Sequence, residues 1–289
     1  MEESSAQTRQ ENFLRVQRRE FQPPALTRIE DTGLSQLWLQ DLVLKILYFQ
    51  GTLTGFKESE SITLPFSGIT DILLEALKRE KLVEVRSATG GLGDGGYVYD
   101  ITSVGIARAR EALDRSQYAG PAPVPLEVYN KSVRLQSLGE LRVTPRIMRT
   151  ALKDLVFSDK IFHRLGPALN SNASIFLYGP PGNGKTSIAR AMGDLILTQS
   201  IYIPYALYIE GQVIKLYDSL NHQRETDDPE NRTESGPLRL NARRDPRWVR
   251  IRRPFIMVGG ELTLAGLDLV FNDTSKFYEA PFQVKSNGG

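Results

Sequence analysis

The octapeptide Gly179-Pro180-Pro181-Gly182-Asn183-Gly184-Lys185-Thr186 fits the pattern G-x-x-x-x-G-K-[ST], and few short strings constrain a fold so tightly. Its glycines permit turns that a Cβ would block, so backbone N–H groups can wrap an anion beside the positive end of a following helix. The flanks suit that arrangement. Ser174-Ile175-Phe176-Leu177-Tyr178 is a short apolar run that predicts a buried parallel strand. From Thr186 to about Leu197, Ile188, Ala189, Met192, Leu195 and Ile196 recur at helical spacing. Strand, loop and helix are therefore expected in that order.

Such a loop binds ATP or GTP: the Lys185 ammonium reaches the β- and γ-phosphates, and the Thr186 hydroxyl ligates the Mg²⁺ that travels with the nucleotide. The candidate nucleotide contacts are Gly179, Pro180, Pro181, Gly182, Asn183, Gly184, Lys185, Thr186 and Ser187. Lys185 and Thr186 are the residues assigned to chemistry, and Thr186 is the metal contact.

With its double proline, Gly-Pro-Pro-Gly-Asn-Gly-Lys-Thr-Ser resembles the Walker A motif of AAA+ ATPases more than that of kinases or small GTPases. Together with Leu165 to Asn170 and Ile175 to Thr186, it is similar to a bacterial AAA+ group bearing an N-terminal winged-helix-like domain. The resemblance implies an α/β P-loop core with a parallel sheet, ATP hydrolysis, ring-shaped homo-oligomers and an unknown protein partner. It also makes Leu165–Asn170 a candidate for contact with the adenine.

Such ATPases need a second apolar strand ending in paired acids, to hold Mg²⁺ from its far side and polarise the attacking water. No apolar run after Lys185 ends that way. The nearest, Phe255-Ile256-Met257-Val258-Gly259-Gly260-Glu261, has glycines where the metal-binding acid belongs, so Glu261 is read as a decoy after a strand and turn. The expectation is an incomplete core, a fragment stopping before its acidic strand, that binds nucleotide and hydrolyses it poorly or not at all.

Ahead of the core, residues 1–31 have the composition of a flexible tail. Residues 32–118 predict a compact unit: a helix over Ser35–Gln50, a polar break, and a helix over Gly68–Glu80. A hairpin of Leu82–Arg86 and Tyr97–Thr102 around a glycine-rich tip and a helix over Ser103–Ser116 complete it. That order is the order of a winged helix. Its nine Lys+Arg against eleven Asp+Glu make a net of −2, the wrong sign for a duplex binder. A protein-contact or regulatory role is favoured. The alternative is a winged-helix regulator that uses ATP as a switch, with DNA or a protein as its ligand.

Residues 119–170 are expected to be a proline-rich linker and helical connector, with Thr144-Pro145 as a helix start. Residues 171–289 are assigned to the nucleotide core. Within them Arg239–Arg253 holds seven arginines, read either as a phosphate-facing cluster or as a strand paired with the acidic stretch Glu225–Glu234.

Zero cysteines exclude disulfides and thiolate chemistry, and His163 and His222 lack the companions of a metal site. No run reaches the roughly 18 apolar residues of a membrane span, and Met1–Glu20 has no signal-peptide core. A cytoplasmic protein is the expectation.

Overall fold

A computed structural model describes residues 21–88, 93–137, 143–153, 155, 159–171, 173–196, 199–225, 244–259 and 262–288. Helix α1 (Gln36–Gln50) starts where the Ser35 hydroxyl accepts the Trp38 N–H at 3.3 Å, satisfying one of the amides a helix end leaves over. Leu39, Leu42, Val43, Leu44, Ile46 and Leu47 are all buried, so α1 is covered nearly all round. Each such side chain contributes about 1.5–3 kcal/mol by leaving water.

Around α1 lie β1 (Leu53–Thr54), α2 (Gly55–Ile62), α3 (Asp71–Arg79), β2 (Val83–Ala88), β3 (Tyr97–Ile101) and α4 (Ser103–Arg115). The three strands form an antiparallel sheet in the order β1-β3-β2, with a register shift between Val85 and Ser87. Gly105 lets α4 pass over the hairpin, since a Cβ there would sit 2.0 Å from the Leu82 carbonyl oxygen.

Two expectations for this region are corrected. The polar break contains β1 and α2, whose buried face is only Gly55, Glu58 and Ile62; a helix with a carboxylate on its inner stripe carries little apolar signal. Helix α3 begins at Asp71 and not Gly68, because Ser67 and Gly68 are non-helical and Gly68 sits at φ 84°. A Cβ on Gly68 would lie 2.5 Å from the Thr27 carbonyl oxygen.

The second body holds β4 (Val124–Pro125), α5 (Leu126–Gln136), β5 (Ser200–Pro204), β6 (Ala206–Ile209), β7 (Gln212–Lys215), β8 (Trp248–Arg252), β9 (Val270–Asn272) and β10 (Phe277–Glu279). Five of these strands make one sheet in the order β4-β6-β7-β10-β9, and β5 pairs antiparallel with β8. The sheet is mixed, which corrects the expected all-parallel one. β4/β6 and β7/β10 run parallel, whereas β6/β7 and β9/β10 are antiparallel. Glu210 and Gly211, at φ 47° and 86°, supply the two-residue positive-φ turn that folds β6 directly back onto β7. The protein is thus a mixed α/β chain.

The two bodies share packing. Ala206 and Val213 of the sheet belong to the same buried cluster as α1, and Trp38 meets Tyr208 edge-on at 5.3 Å. The proline-rich stretch is not a free spacer: Ala122 donates its N–H to the Ile62 carbonyl at 2.8 Å, and Val124–Pro125 is an edge strand. The nearer part of the expected tail is also packed, with Pro23 and Leu26 buried and Phe21 edge-on to Trp248 at 5.6 Å. Residues 1–20 lie outside the described residues.

Helices α6 (Pro145–Ala151), α7 (Asp159–Asn170) and α8 (Lys185–Ile196) enclose a separate core of Val143, Met148, Leu152, Phe162, Leu165, Ile188 and Met192. Thr144 caps α6 and Pro145 fills its first turn, as the sequence predicts. A last short helix, α9 (Phe282–Lys285), ends the described chain. Among the described residues no helix is long and apolar enough to cross a membrane.

Candidate functional site

Helix α8 begins at Lys185, directly after the glycine-rich loop. Gly179, Gly182 and Gly184 take φ of 148°, 83° and 69°, conformations that L side chains rarely adopt. Nothing lies within 4 Å of a Cβ built on any of them, so it is the backbone turn, and not crowding, that demands glycine. The first helical bond runs from the Ile188 N–H to the Gly184 carbonyl at 2.9 Å. The amides before Ile188 have no partner within the helix and project from its positive end.

The loop from Gly179 to Gly184 is exposed, as are Thr186 and Ser187. Lys185 is half-buried and donates from Nζ to the carbonyl oxygens of Gly179 and Pro180, at 3.0 and 2.7 Å. Its charge therefore sits against the carbonyls of the turn, and Thr186 is exposed at the start of α8. On the inner side, Ile188 and Met192 anchor α8 in the α6–α7 core.

The strand expected before the loop is not formed. Ser174–Tyr178 has no strand partner, and Phe176 and Tyr178 are 86% and 83% exposed, their rings stacked on each other at 5.9 Å. Phe255–Val258 is likewise unpaired. An apolar run becomes a strand only when a neighbouring edge completes its hydrogen bonds, and neither run meets one. No cluster of three or more metal-binding side chains occurs among the described residues. Glu261 lies outside them.

Two of the adenine candidates, Leu165 and Asn170, have partners within the protein. Leu165 is buried in the α6–α8 core, and the Asn170 amide clamps Val143, accepting its N–H at 2.7 Å and donating to its carbonyl at 3.1 Å.

The arginine cluster also resolves, its members before Arg244 lying outside the described residues. Arg247 is buried against Asp245 at 2.8 Å and donates to the carbonyls of Thr32 and Pro123 at 2.8 and 3.0 Å. Arg250 pairs with Glu225 at 3.3 Å, in line with the reading of a strand facing the acidic stretch. Arg253 is 5% exposed and donates to three backbone or side-chain partners. Nothing in the local pattern distinguished these buried arginines from solvated ones; the Asp245-Pro246-Arg247 spacing was the one available hint.

A carboxylate–lysine–imidazole group, Asp218, Lys285 and His222, is structural. Burial raises the Asp218 pKa, but hydrogen bonds from Lys285 Nζ, the Leu220 N–H and Asn221 outweigh it and hold the carboxyl at about 2. His222 Nδ1 accepts the Asp218 N–H at 3.0 Å, and Nε2 meets the Lys285 carbonyl at 2.8 Å. The group therefore ties α9 to the turn after β7.

No protein-family model matches the chain. Over 100 residues it is 31% identical to Protein SAV of Sulfolobus acidocaldarius, a match covering 35% of this chain and 11% of that protein. The matched region thus spans about a tenth of the relative's length.

Proposed function

We propose that this chain binds ATP with Mg²⁺ on the loop Gly179–Ser187, as the nucleotide-binding part of an AAA+-type P-loop ATPase. One observation supports it above others: the motif's three glycines take positive φ and deliver Lys185 to the first position of a helix whose loop is open to solvent. Lys185 neutralises the β- and γ-phosphates, the helix-end amides hold their oxygens, and Thr186 supplies one Mg²⁺ ligand. Hydrolysis further requires an acid across the metal to polarise water. No apolar run in the sequence ends in such a pair, so binding without appreciable turnover is the expected behaviour of this chain.

The amino-terminal unit is proposed to be a winged helix that contacts protein. Its order of helix, strand, two helices, hairpin and helix, with sheet order β1-β3-β2, supports that reading. On α3, Glu75 pairs with Lys78 at 2.6 Å and lies 3.7 Å from Arg79, so an acid shares the face that would meet phosphate and offsets part of its positive charge. Assembly into rings belongs to the same proposal.

Titration with a fluorescent ATP analogue, displaced by unlabelled MgATP, tests the nucleotide assignment. Saturable binding that ATP displaces is expected; a flat response at millimolar nucleotide contradicts it. A gel shift with duplex DNA at two salt concentrations tests the protein-contact role, and tight salt-sensitive binding would count against it.

A further inference from the structure

The segment leaving β8 runs back along α8 toward the loop. Arg253 donates its backbone N–H to the Gln199 carbonyl at 3.1 Å, just past the end of α8. Two residues on, the Phe255 ring lies so close to Gly193 that a Cβ there would be 2.7 Å from it. Two further on, Met257 Sδ meets Arg190 at 4.0 Å. Positions 253, 255 and 257 therefore follow α8 in reverse, from its carboxyl end toward Lys185.

Among residues 253, 255 and 257, Arg253 is the one buried. Phe255 and Met257 are 43% and 48% exposed, but Arg253 is 5% exposed. Its guanidinium gathers three parts of the chain: the Gln136 carbonyl at the end of α5 at 2.7 Å, the Gln199 side chain at 3.3 Å, and the Gly288 carbonyl. The α6–α8 core is separate from the cores of the two other bodies, and this strut links the loop-bearing helix to the chain leaving the sheet strand β8.

We propose that Arg253 is a positioning residue for the nucleotide loop, holding the strut Arg253–Met257 against α8 so that Lys185 and Thr186 keep their place relative to the sheet. The proposal rests on the nucleotide assignment above. The test is Arg253→Gln in the full chain, followed by hydrogen exchange without nucleotide and by MgATP titration. Amides of residues 188–193 should exchange faster while those of α1 do not change, and MgATP should bind about tenfold more weakly because α8 no longer holds the loop in place. Arg253→Lys, which keeps the charge and part of the bonding, should recover some of that affinity. Unchanged exchange in α8, or faster exchange with unaltered affinity, overturns the proposal. If Arg253→Gln does not fold, Phe255→Ala, at a half-exposed position, is judged by the same two readouts. If wild-type chain binds no MgATP, the nucleotide assignment fails, and the exchange result alone decides whether the strut holds α8.

Discussion

Glu58 offers a test of the amino-terminal unit that is independent of nucleotide. It sits on the inner stripe of α2 between Gly55 and Ile62, 1% exposed, with neither carboxylate oxygen hydrogen-bonded. Burial alone drives its pKa well above 4.5. A buried polar group left unpaired costs about 1–3 kcal/mol, so Glu58→Met, similar in length and apolar, should stabilise the chain by about that much at acid pH. The pH dependence follows from the raised folded-state pKa. Below 4.5 both states hold the proton and the residue's contribution is constant. As pH rises past that value the unfolded chain ionises first, and stability falls by about 1.4 kcal/mol per pH unit until the folded-state pKa is reached. Urea denaturation of wild type and variant between pH 4 and pH 8 (on the order of one transition per pH unit) would reveal a gap that widens with pH. A gap that stays constant, or a variant less stable throughout, would refute the reasoning.

Two further substitutions probe other buried charges. Lys45, 5% exposed, has its pKa lowered to about 8, chiefly by burial; stability linked to it is present above the ordinary value of 10.5 and lost as pH falls through 8. Lys45→Met should therefore raise stability at neutral pH by about 2 kcal/mol after losing the bond to the Ser116 carbonyl, and should flatten the alkaline limb of a denaturation series. Arg247→Ala leaves Asp245 buried without its partner and frees the Thr32 and Pro123 carbonyls, so a loss of about 3–5 kcal/mol is expected. A denaturation midpoint equal to wild type would show that this clamp is not needed to join the two bodies.

What was legible in the sequence was whatever announces itself locally. Thr144 followed by Pro145 marks a helix start, and Thr144 caps α6 as that pair suggests; the helices expected from Ser35 and Ser103 also form, capped by the Ser35 and Thr102 hydroxyls. The glycine-lysine loop is equally local, and the helix following it starts within one residue of the expected place. Pairing partners were not legible. Val124–Pro125 looked like a spacer because two residues carry no periodicity, yet they join a sheet edge supplied more than eighty residues later. Ser174–Tyr178 looked like a strand because it is apolar, but it meets no edge. Helix α2 was hidden by the acid on its buried face. Arg247 and Arg253 were hidden for the converse reason, since their partners include the carbonyls of Thr32, Gln136 and Gly288.

Titration calorimetry of the full chain with MgATP, wild type against Lys185→Ala, bears most directly on the nucleotide assignment. Saturable heat with wild type and none with the variant, while the variant's unfolding transition stays where it was, is the predicted result. Equal heats from both proteins, or none from either, would contradict it.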